Sequence, residues 1–131
     1  MAKQLTIVYH LHRMYDETKK SVKSILSQSD KNFDIICILD NIDIGVKKVL
    51  DDKEVINLLE KFKNFTFIVV DKTLGHSWCF NRANELVKTP YVYYASGGCV
   101  FNENFVKEIT KKLDSSNPDL LIFNYDESMH R

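Results

Sequence analysis

Short apolar runs alternate with longer amphipathic segments along this chain of 131 residues. The apolar runs are rich in isoleucine, valine, phenylalanine and tyrosine, and each is four to seven residues long, which is typical of buried strands. The run from Phe33 to Leu39 is nearly continuous, which fits a parallel sheet covered on both faces better than an antiparallel sheet with one wet face. We predict strands at 5–9, 33–39, 65–70, 91–95 and 120–123.

The intervening segments place apolar residues three and four positions apart, which predicts helices with one buried face. These helices are predicted at 16–28, from Asp51 onward, at 75–88 and after Asn102. Asp16, Asp51 and Asn102 are the expected N-terminal caps. Glu54 follows Asp51 as in a capping box, and Pro90 is expected to end the third helix. The third helix is predicted to direct inward Cys79 or Phe80, Ala83, Leu86 and Val87.

The alternation of strand and helix predicts a three-layer α/β/α sandwich around a mostly parallel sheet. No linker or internal repeat divides the chain, so residues 1–131 are expected to form a single domain. In sheets of this kind, ligands bind beyond the carboxyl ends of the strands. The segments at those ends are 9–13, 39–43, 71–75 and 95–99.

Charge and cysteine content argue against several classes of protein. Eighteen basic and eighteen acidic side chains give a formal net charge of zero, which disfavours nucleic-acid binding by bulk phosphate attraction and disfavours a polybasic membrane anchor. No run reaches the ~18 apolar residues of a membrane helix, and the N-terminus lacks the pattern of a signal peptide. The three cysteines form no C-x-x-C pair. We therefore expect a cytoplasmic protein without nucleic-acid partners and without a membrane segment in this chain.

Three blocks of the sequence carry a family signature. In the first block, residues 24–28 read Ser-Ile-Leu-Ser-Gln and precede Asn-Phe-Asp-Ile-Ile at 32–36. In the second, residues 74–77 read Leu-Gly-His-Ser. In the third, residues 91–98 are an apolar run, predicted as a strand, that leads into Ser-Gly-Gly. The chain resembles the nucleotide-binding half of family 2 glycosyltransferases, in which a helix ends S-[IL]-L-x-Q before N-F-E-I-I and a later stretch reads N-L-G-x-S-x-A-R-N-x-G. The resemblance spans nearly the whole chain.

This resemblance implies the GT-A fold, a Rossmann-like sheet that binds a UDP- or GDP-sugar for glycosyl transfer. It also implies Mg²⁺ or Mn²⁺, held by an Asp-x-Asp motif and neutralising charge on the leaving diphosphate. In this sequence the motif positions carry Ser96 and Gly98, and neither residue offers a carboxylate. We therefore expect a degenerate motif without these metal ligands, and the catalytic residues remain unknown from the sequence.

The resemblance and the strand ends together select as nucleotide-binding residues His12, Asp40, Asp43, Gly75 and Arg82. His12 falls where an aromatic ring of the family packs against the base, Asp40 is expected to contact the base, and Asp43 the ribose. Gly75 would let the backbone approach a phosphate at the start of a helix. Arg82 would reach the diphosphate.

Each of these positions also has a structural explanation. Asp40 and Asp43 could begin a solvated loop, Gly75 could serve only a turn, and Arg82 could be a surface charge. His10 and His12 could be the polar end of a strand or, less readily, a metal-binding pair, because no third ligand lies near them in sequence.

Two functions remain open from the sequence. The chain is a nucleotide-sugar-binding glycosyltransferase domain, or it is a catalytically inactive relative that serves as a binding or interaction module. The replaced aspartates, Leu39 in place of a family acidic residue, and the bulky Trp78 favour the second function. Family members usually continue into an acceptor-binding half, so the chain is a fragment or a reduced relative. A fragment would expose apolar surface, which predicts a homo-oligomer.

Overall fold

Four parallel strands form one sheet in the part of the chain that the computed structural model describes, namely residues 3–11, 15–40, 51–62, 65–70, 75–96 and 99–116. The strands are β1 (Leu5–Leu11), β2 (Asp34–Asp40), β3 (Phe65–Val70) and β4 (Tyr91–Ser96). Their order across the sheet is β3-β2-β1-β4, and each neighbouring pair is parallel. The parallel sheet is confirmed, while the strand predicted at 120–123 lies outside the described residues.

Helices connect or follow these strands. They are α1 (Tyr15–Leu26), α2 (Lys53–Glu60), α3 (Gly75–Asn84) and α4 (Phe105–Ser116). Within the described ranges, no helix is long and apolar enough to cross a membrane.

Alternation of side chains along each strand gives the sheet two apolar faces. Tyr9 and Leu11 of β1 lie in a large core that α1, α2 and α4 cover. Val8, which precedes Tyr9 and lies on the other face, is in a smaller core covered by Cys79 and Ala83 of α3. Helices therefore pack on both faces of the sheet, and the predicted α/β/α layering is confirmed.

The N-terminal cap of α2 is Asp52, so the prediction of Asp51 is wrong by one residue. The Asp52 side chain accepts hydrogen bonds from the amides of Glu54 at 2.9 Å and Val55 at 3.3 Å. Two donors that the helix itself cannot satisfy are thereby paired. Asp51 and Asp52 are chemically equivalent, so only the backbone geometry decides which of them caps the helix.

The other two predicted caps also differ from the structure. Asp16 lies inside α1, which begins at Tyr15. Asn102 lies three residues before α4 and its Oδ1 accepts the amide of Asn104 at 2.9 Å, which closes the turn before the helix. The amide of Val106, in the first turn of α4, instead donates to the side chain of Gln28 at 2.9 Å. A residue distant in sequence thus acts as the cap.

The third helix is shorter than predicted, because α3 ends at Asn84 and not near Lys88. The amide of Leu86 donates to the carbonyl of Ala83 at 2.8 Å, and that of Val87 donates to Asn84 at 3.3 Å. These bonds span three residues, which is the tighter spacing common at helix ends. The Leu86 side chain is 37% exposed and does not point inward as predicted, whereas Val87 packs against the smaller core.

Candidate functional site

The carboxyl ends of the four strands meet at one edge of the sheet, here termed the carboxyl edge. Its terminal positions are Leu11, Asp40, Val70 and Ser96. In the register, Asp40 lies opposite Val70, and Ser96 lies opposite His10. This is the edge at which the sequence predicts a ligand, and every strand of the described sheet contributes its last residue to it.

His10 occupies the carboxyl edge between the sheet and α3. Its side chain is only 3% exposed, and its ring lies edge-on to Phe80 of α3, with the ring centroids 6.0 Å apart. Phe80 in turn contacts Tyr94 of β4 at 4.8 Å, and the Tyr94 hydroxyl bonds Oδ1 of Asn84 at 2.7 Å. A row of three aromatic rings, His10, Phe80 and Tyr94, therefore lies between the sheet and α3. We call this row the aromatic wall, and His10, the register partner of Ser96, is its member at the carboxyl edge.

The structure places only part of the predicted nucleotide site. Asp40 and Gly75 have described backbones, at the end of β2 and at the start of α3. His12 and Asp43 lie outside the described residues, as does Gly98, while Ser96 is the last residue of β4. The positions at 40 and 96 thus belong to one edge of the sheet, separated by β1.

Arg82 lies away from the start of its helix. It follows Gly75 by seven positions, and at a rise of 1.5 Å per residue this places it about 10 Å along α3. Its side chain is exposed, and Nη1 lies 2.8 Å from Oε2 of Glu85. The structure therefore shows Arg82 in a surface ion pair, and contact with a diphosphate at the carboxyl edge requires the guanidinium to leave that pair.

Trp78 lies in the first turns of α3 with 44% of its surface exposed. From its bulk alone, an indole at this position would either fill the predicted pocket or pack under a neighbouring loop. An exposure of this size is unlike that of Cys79 and Ala83, which are fully buried against the sheet. The indole therefore presents apolar surface close to the end of the helix that faces the carboxyl edge.

A set of polar side chains from α1 and the turn after it, Ser21, Ser24 and Gln28, holds the chain that follows β4. We call this set the α1 anchor. Ser21 donates a hydrogen bond to the carbonyl of Cys99, and the Ser24 hydroxyl accepts the amide of Phe101 at 2.9 Å. The segment from Cys99 onward is thus fixed to α1 before α4 begins.

Gln28 makes the most contacts within the α1 anchor. Its Nε2 donates to the carbonyls of Ser24 at 3.1 Å and Asn102 at 2.7 Å, and its Oε1 accepts the amide of Val106 at 2.9 Å. The side chain is 1% exposed. All three bonds reach main-chain groups, so this buried amide is satisfied without any charged partner.

Tyr9 extends the same network into the core of the sheet. Since the Ser21 hydroxyl hydrogen is used for Cys99, the Tyr9 hydroxyl donates to Ser21 Oγ. Burial raises the pKa of Tyr9 above its ordinary value, and the bond to Ser21 only partly offsets this effect. Tyr9 is therefore a neutral donor that links β1 to α1.

Comparison with known proteins identifies the family. Residues 6–129 match the family model described as glycosyl transferase family 2. The chain belongs to this family. No curated protein sequence matches it.

Solved structures confirm the GT-A fold of this family 2 domain. S. aureus TarS, residues 1–349, superposes with a TM-score of 0.69 at 11% identity, over 87% of this chain and 33% of that one. The mannosyltransferase PcManGT from Pyrobaculum calidifontis, solved with GDP-Man and Mn²⁺, gives a TM-score of 0.71 at 10% identity, over 88% and 34% of the two chains. The chain thus spans about a third of each of these two solved chains, and 19% of the longer TarS structure.

The residues predicted to occupy the metal-motif positions do not fit a divalent cation. Mg²⁺ and Mn²⁺ take hard, usually anionic oxygen ligands, and the positions at which the sequence predicts the family's aspartates carry Ser96 and Gly98. Within the described ranges, no group of three His, Cys, Asp or Glu side chains is arranged to hold a metal.

The sequence does not predict the aromatic wall. It indicates His10 only together with His12 at the end of a strand, and it indicates Phe80 as a candidate core residue of the third helix. A sequence signal for His10 does exist, because it shares the odd–even alternation of Thr6 and Val8 and so belongs to the α3 face of β1. Its proximity to position 96 becomes evident only when β4 is placed beside β1.

Proposed function

We propose that this chain is the nucleotide-binding part of a family 2 glycosyltransferase and binds a UDP- or GDP-sugar at the carboxyl edge. The observation that carries this proposal is the meeting of four parallel strand ends at one edge, in a chain that matches the family over residues 6–129. Structures of the same fold include TarS in complex with UDP and with UDP-GlcNAc, and PcManGT with GDP-Man. These ligands support a nucleoside diphosphate as the first compound to test.

The proposed contacts combine the resemblance with the positions of the strand ends. Asp40 at the end of β2 accepts a hydrogen bond from the base, and Asp43 binds the ribose. His12 stacks on the base, and Gly75 allows the first amides of α3 to approach a phosphate. Arg82 pairs with the diphosphate after leaving Glu85.

Sugar transfer would break the bond between the anomeric carbon and a diphosphate oxygen and form a bond to an acceptor oxygen, which gives up its proton. We assign no base for that proton among the described residues. Donor binding is thus the activity proposed for residues 1–131, as a single domain, and transfer is proposed for a protein that also supplies an acceptor site. A cytoplasmic location belongs to the same proposal.

A second candidate function is a non-catalytic interaction module. It is favoured by Ser96 and Gly98, which replace the two motif aspartates, and by the 44% exposure of Trp78. An exposed indole on a helix surface is a frequent anchor of protein interfaces. On this alternative the chain keeps the fold and binds neither nucleotide.

Calorimetric titration of UDP and GDP into the purified chain, with Mn²⁺ and separately with EDTA, tests both functions. Binding of either nucleotide supports the donor site, and binding that persists in EDTA agrees with the replaced metal motif. Asp40→Asn is expected to weaken binding about tenfold, the loss of a charge-assisted hydrogen bond. Asp34→Asn is the matched control, because Asp34 lies at the opposite end of the same strand and pairs with Lys3 at 3.0 Å. If neither nucleotide binds at millimolar concentration, the interaction module is the function that remains.

A further inference from the structure

We propose that the α1 anchor positions residues 99–106, and with them the carboxyl end of β4, for binding the nucleotide diphosphate. Ser21, Ser24 and Gln28 are on this view positioning residues, since none of them lies at the carboxyl edge itself. The inference rests on the nucleotide binding proposed above and names residues through which that binding is controlled.

The hydrogen bonds from the α1 anchor to residues 99–106 all reach main-chain groups. Ser21 bonds the carbonyl of Cys99, Ser24 bonds the amide of Phe101, and Gln28 bonds the carbonyl of Asn102 and the amide of Val106. Main-chain contacts fix the path of the backbone irrespective of which side chains it carries. The α1 anchor therefore specifies where this segment runs, in addition to any packing it provides.

The turn after α1 extends this control. The amide of Ser29 donates to the carbonyl of Glu103 at 2.8 Å, and the Ser29 hydroxyl donates to Oδ1 of Asn104 at 2.7 Å. Residues 99–104 contain no helix or strand of their own that could satisfy these groups. Their path is accordingly set by residues that lie more than seventy positions earlier in the chain.

The described residues on either side of positions 97 and 98 are each held by β1 or α1. Ser96 is the register partner of His10, and Cys99 is bonded to Ser21, which Tyr9 also contacts. The two residues between them in sequence are both glycine. The backbone is therefore fixed at Ser96 and at Cys99 by contacts with other elements.

A donor site gains affinity when its loops are ordered before the ligand arrives, because less conformational freedom is then lost on binding. The α1 anchor supplies such ordering one connection away from the position that corresponds to the family's metal motif. Where that motif lacks its carboxylates, as at Ser96 and Gly98, binding depends more on the backbone being in place.

Two variants of the full chain test this role. Gln28→Met keeps the side-chain length but removes all three hydrogen bonds of the amide. Ser24→Ala is the milder variant, because it removes the half-buried hydroxyl that accepts the amide of Phe101. It keeps the test possible if Gln28→Met does not fold. Each is expected to weaken UDP or GDP binding about tenfold, measured by calorimetry well below its Tm. Amide hydrogen exchange of residues 99–106 is expected to accelerate in both variants.

Thr6→Val is the matched control. Thr6 is fully buried and donates a hydrogen bond to Thr89 Oγ1 at 2.6 Å, at the amino edge of the same sheet. Its loss lowers Tm but leaves affinity within about twofold, because the carboxyl edge is untouched. If Thr6→Val weakens binding as much as Ser24→Ala does, or if exchange of 99–106 is unchanged in Ser24→Ala, the positioning role is overturned.

Failure of the donor site gives a different pattern. If the unmodified chain binds neither UDP nor GDP, the proposed function is overturned and the affinity part of this inference falls with it. Hydrogen exchange still decides whether the α1 anchor fixes the segment: faster exchange of residues 99–106 in Ser24→Ala alone, and not in Thr6→Val, supports it. Equal exchange in both variants overturns it.

Discussion

Lys19 of α1 lies 2.7 Å from Asp52, the N-terminal cap of α2, with Nζ facing Oδ2. The second carboxylate oxygen of Asp52 meanwhile accepts the amides of Glu54 and Val55. One side chain thus caps a helix and joins two neighbouring helices on the same face of the sheet. A second ion pair, between Lys23 and Glu54, lies one turn farther along α1.

Asp52→Ala is expected to lower Tm by several degrees, because it removes an N-terminal cap that two amides share. Asp51→Ala is the control, since Asp51 is the adjacent exposed aspartate and makes neither of these capping bonds. Thermal unfolding followed by circular dichroism compares the two. A greater loss in Asp51→Ala than in Asp52→Ala would contradict the cap that the structure assigns.

The same carboxylates predict a loss of stability in acid. The hydrogen bond from Lys19 lowers the pKa of Asp52, and the hydrogen bond from Lys23 lowers the pKa of Glu54. A carboxyl whose pKa is lower in the folded state stabilises the fold above its unfolded pKa, and that contribution disappears as the pH falls through the folded value.

We therefore expect Tm to fall as the pH is lowered below about 4, the unfolded range of Asp and Glu. In the double variant Asp52→Asn, Glu54→Gln the fall should be shallower, because the two groups no longer titrate. High salt should reduce the difference between variant and parent, since both ion pairs are solvent-accessible. An identical acid profile for parent and variant would show that these groups do not contribute.

The strands could be predicted from the sequence because each is a short run rich in apolar, β-branched and aromatic residues. β3 occupies residues 65–70 as predicted, and β1 only extends two residues farther, to Leu11. The ends of helices were less predictable, because Asp51 and Asp52 offer the same chemistry and differ only in backbone position. The pattern could not show that α3 would tighten and end at Asn84 before its apolar periodicity ran out.

The arrangement around the candidate site depends on contacts between distant parts of the chain. Gln28 and Val106 are 78 positions apart, and the S-[IL]-L-x-Q pattern alone gives no indication of that bond. Likewise His10 and Ser96 become neighbours only because β4 is placed beside β1. The alternation of strands and helices in the sequence predicts a carboxyl edge, but it does not predict that Gln28 contacts Val106 or that His10 pairs with Ser96.

Alkaline pH is expected to destabilise the chain through two buried groups. Burial raises the pKa of the Tyr9 hydroxyl and of the Cys37 thiol. A group whose pKa is higher in the folded state stabilises the fold below its unfolded pKa, and this stabilisation is lost as the pH rises. Tm should therefore decline above about pH 9, where an unfolded cysteine and then an unfolded tyrosine ionise.

Absorbance of tyrosinate during a pH titration measures this effect. Of the six tyrosines, Tyr9 should ionise only when the chain unfolds. Tyr9→Phe should remove that late step and reduce stability by about 1 kcal/mol through loss of the bond to Ser21. A Tyr9 that titrates with the exposed tyrosines in the folded chain would refute its burial.

Ala83 on α3 is expected to tolerate no larger side chain. It is fully buried, and it faces the smaller core with Val8, Ile36 and Ile38. Ala83→Leu should reduce the free energy of unfolding by about 1–3 kcal/mol, because the added atoms force the helix away from the strands. Asn81→Leu places the same residue on the exposed side of the same helix and should cost much less. Urea unfolding distinguishes them, and equal losses would contradict the packing of α3.

His10 is expected to affect nucleotide binding more than its contribution to the core would require. Its backbone pairs with Ser96, and its ring packs edge-on against Phe80 at the carboxyl edge. His10→Leu keeps an apolar side chain in the sheet but removes the ring nitrogens and the edge-on contact. We expect UDP or GDP affinity to fall about tenfold, a change of about 1.4 kcal/mol.

Val8→Ala is the control, since Val8 is buried on the same face two positions earlier and lies away from the edge. It should lower Tm at least as much as His10→Leu while leaving affinity within about twofold. Affinities that fall together in the two variants would assign His10 to the core alone, whereas loss of affinity in His10→Leu only would place the aromatic wall at the nucleotide site.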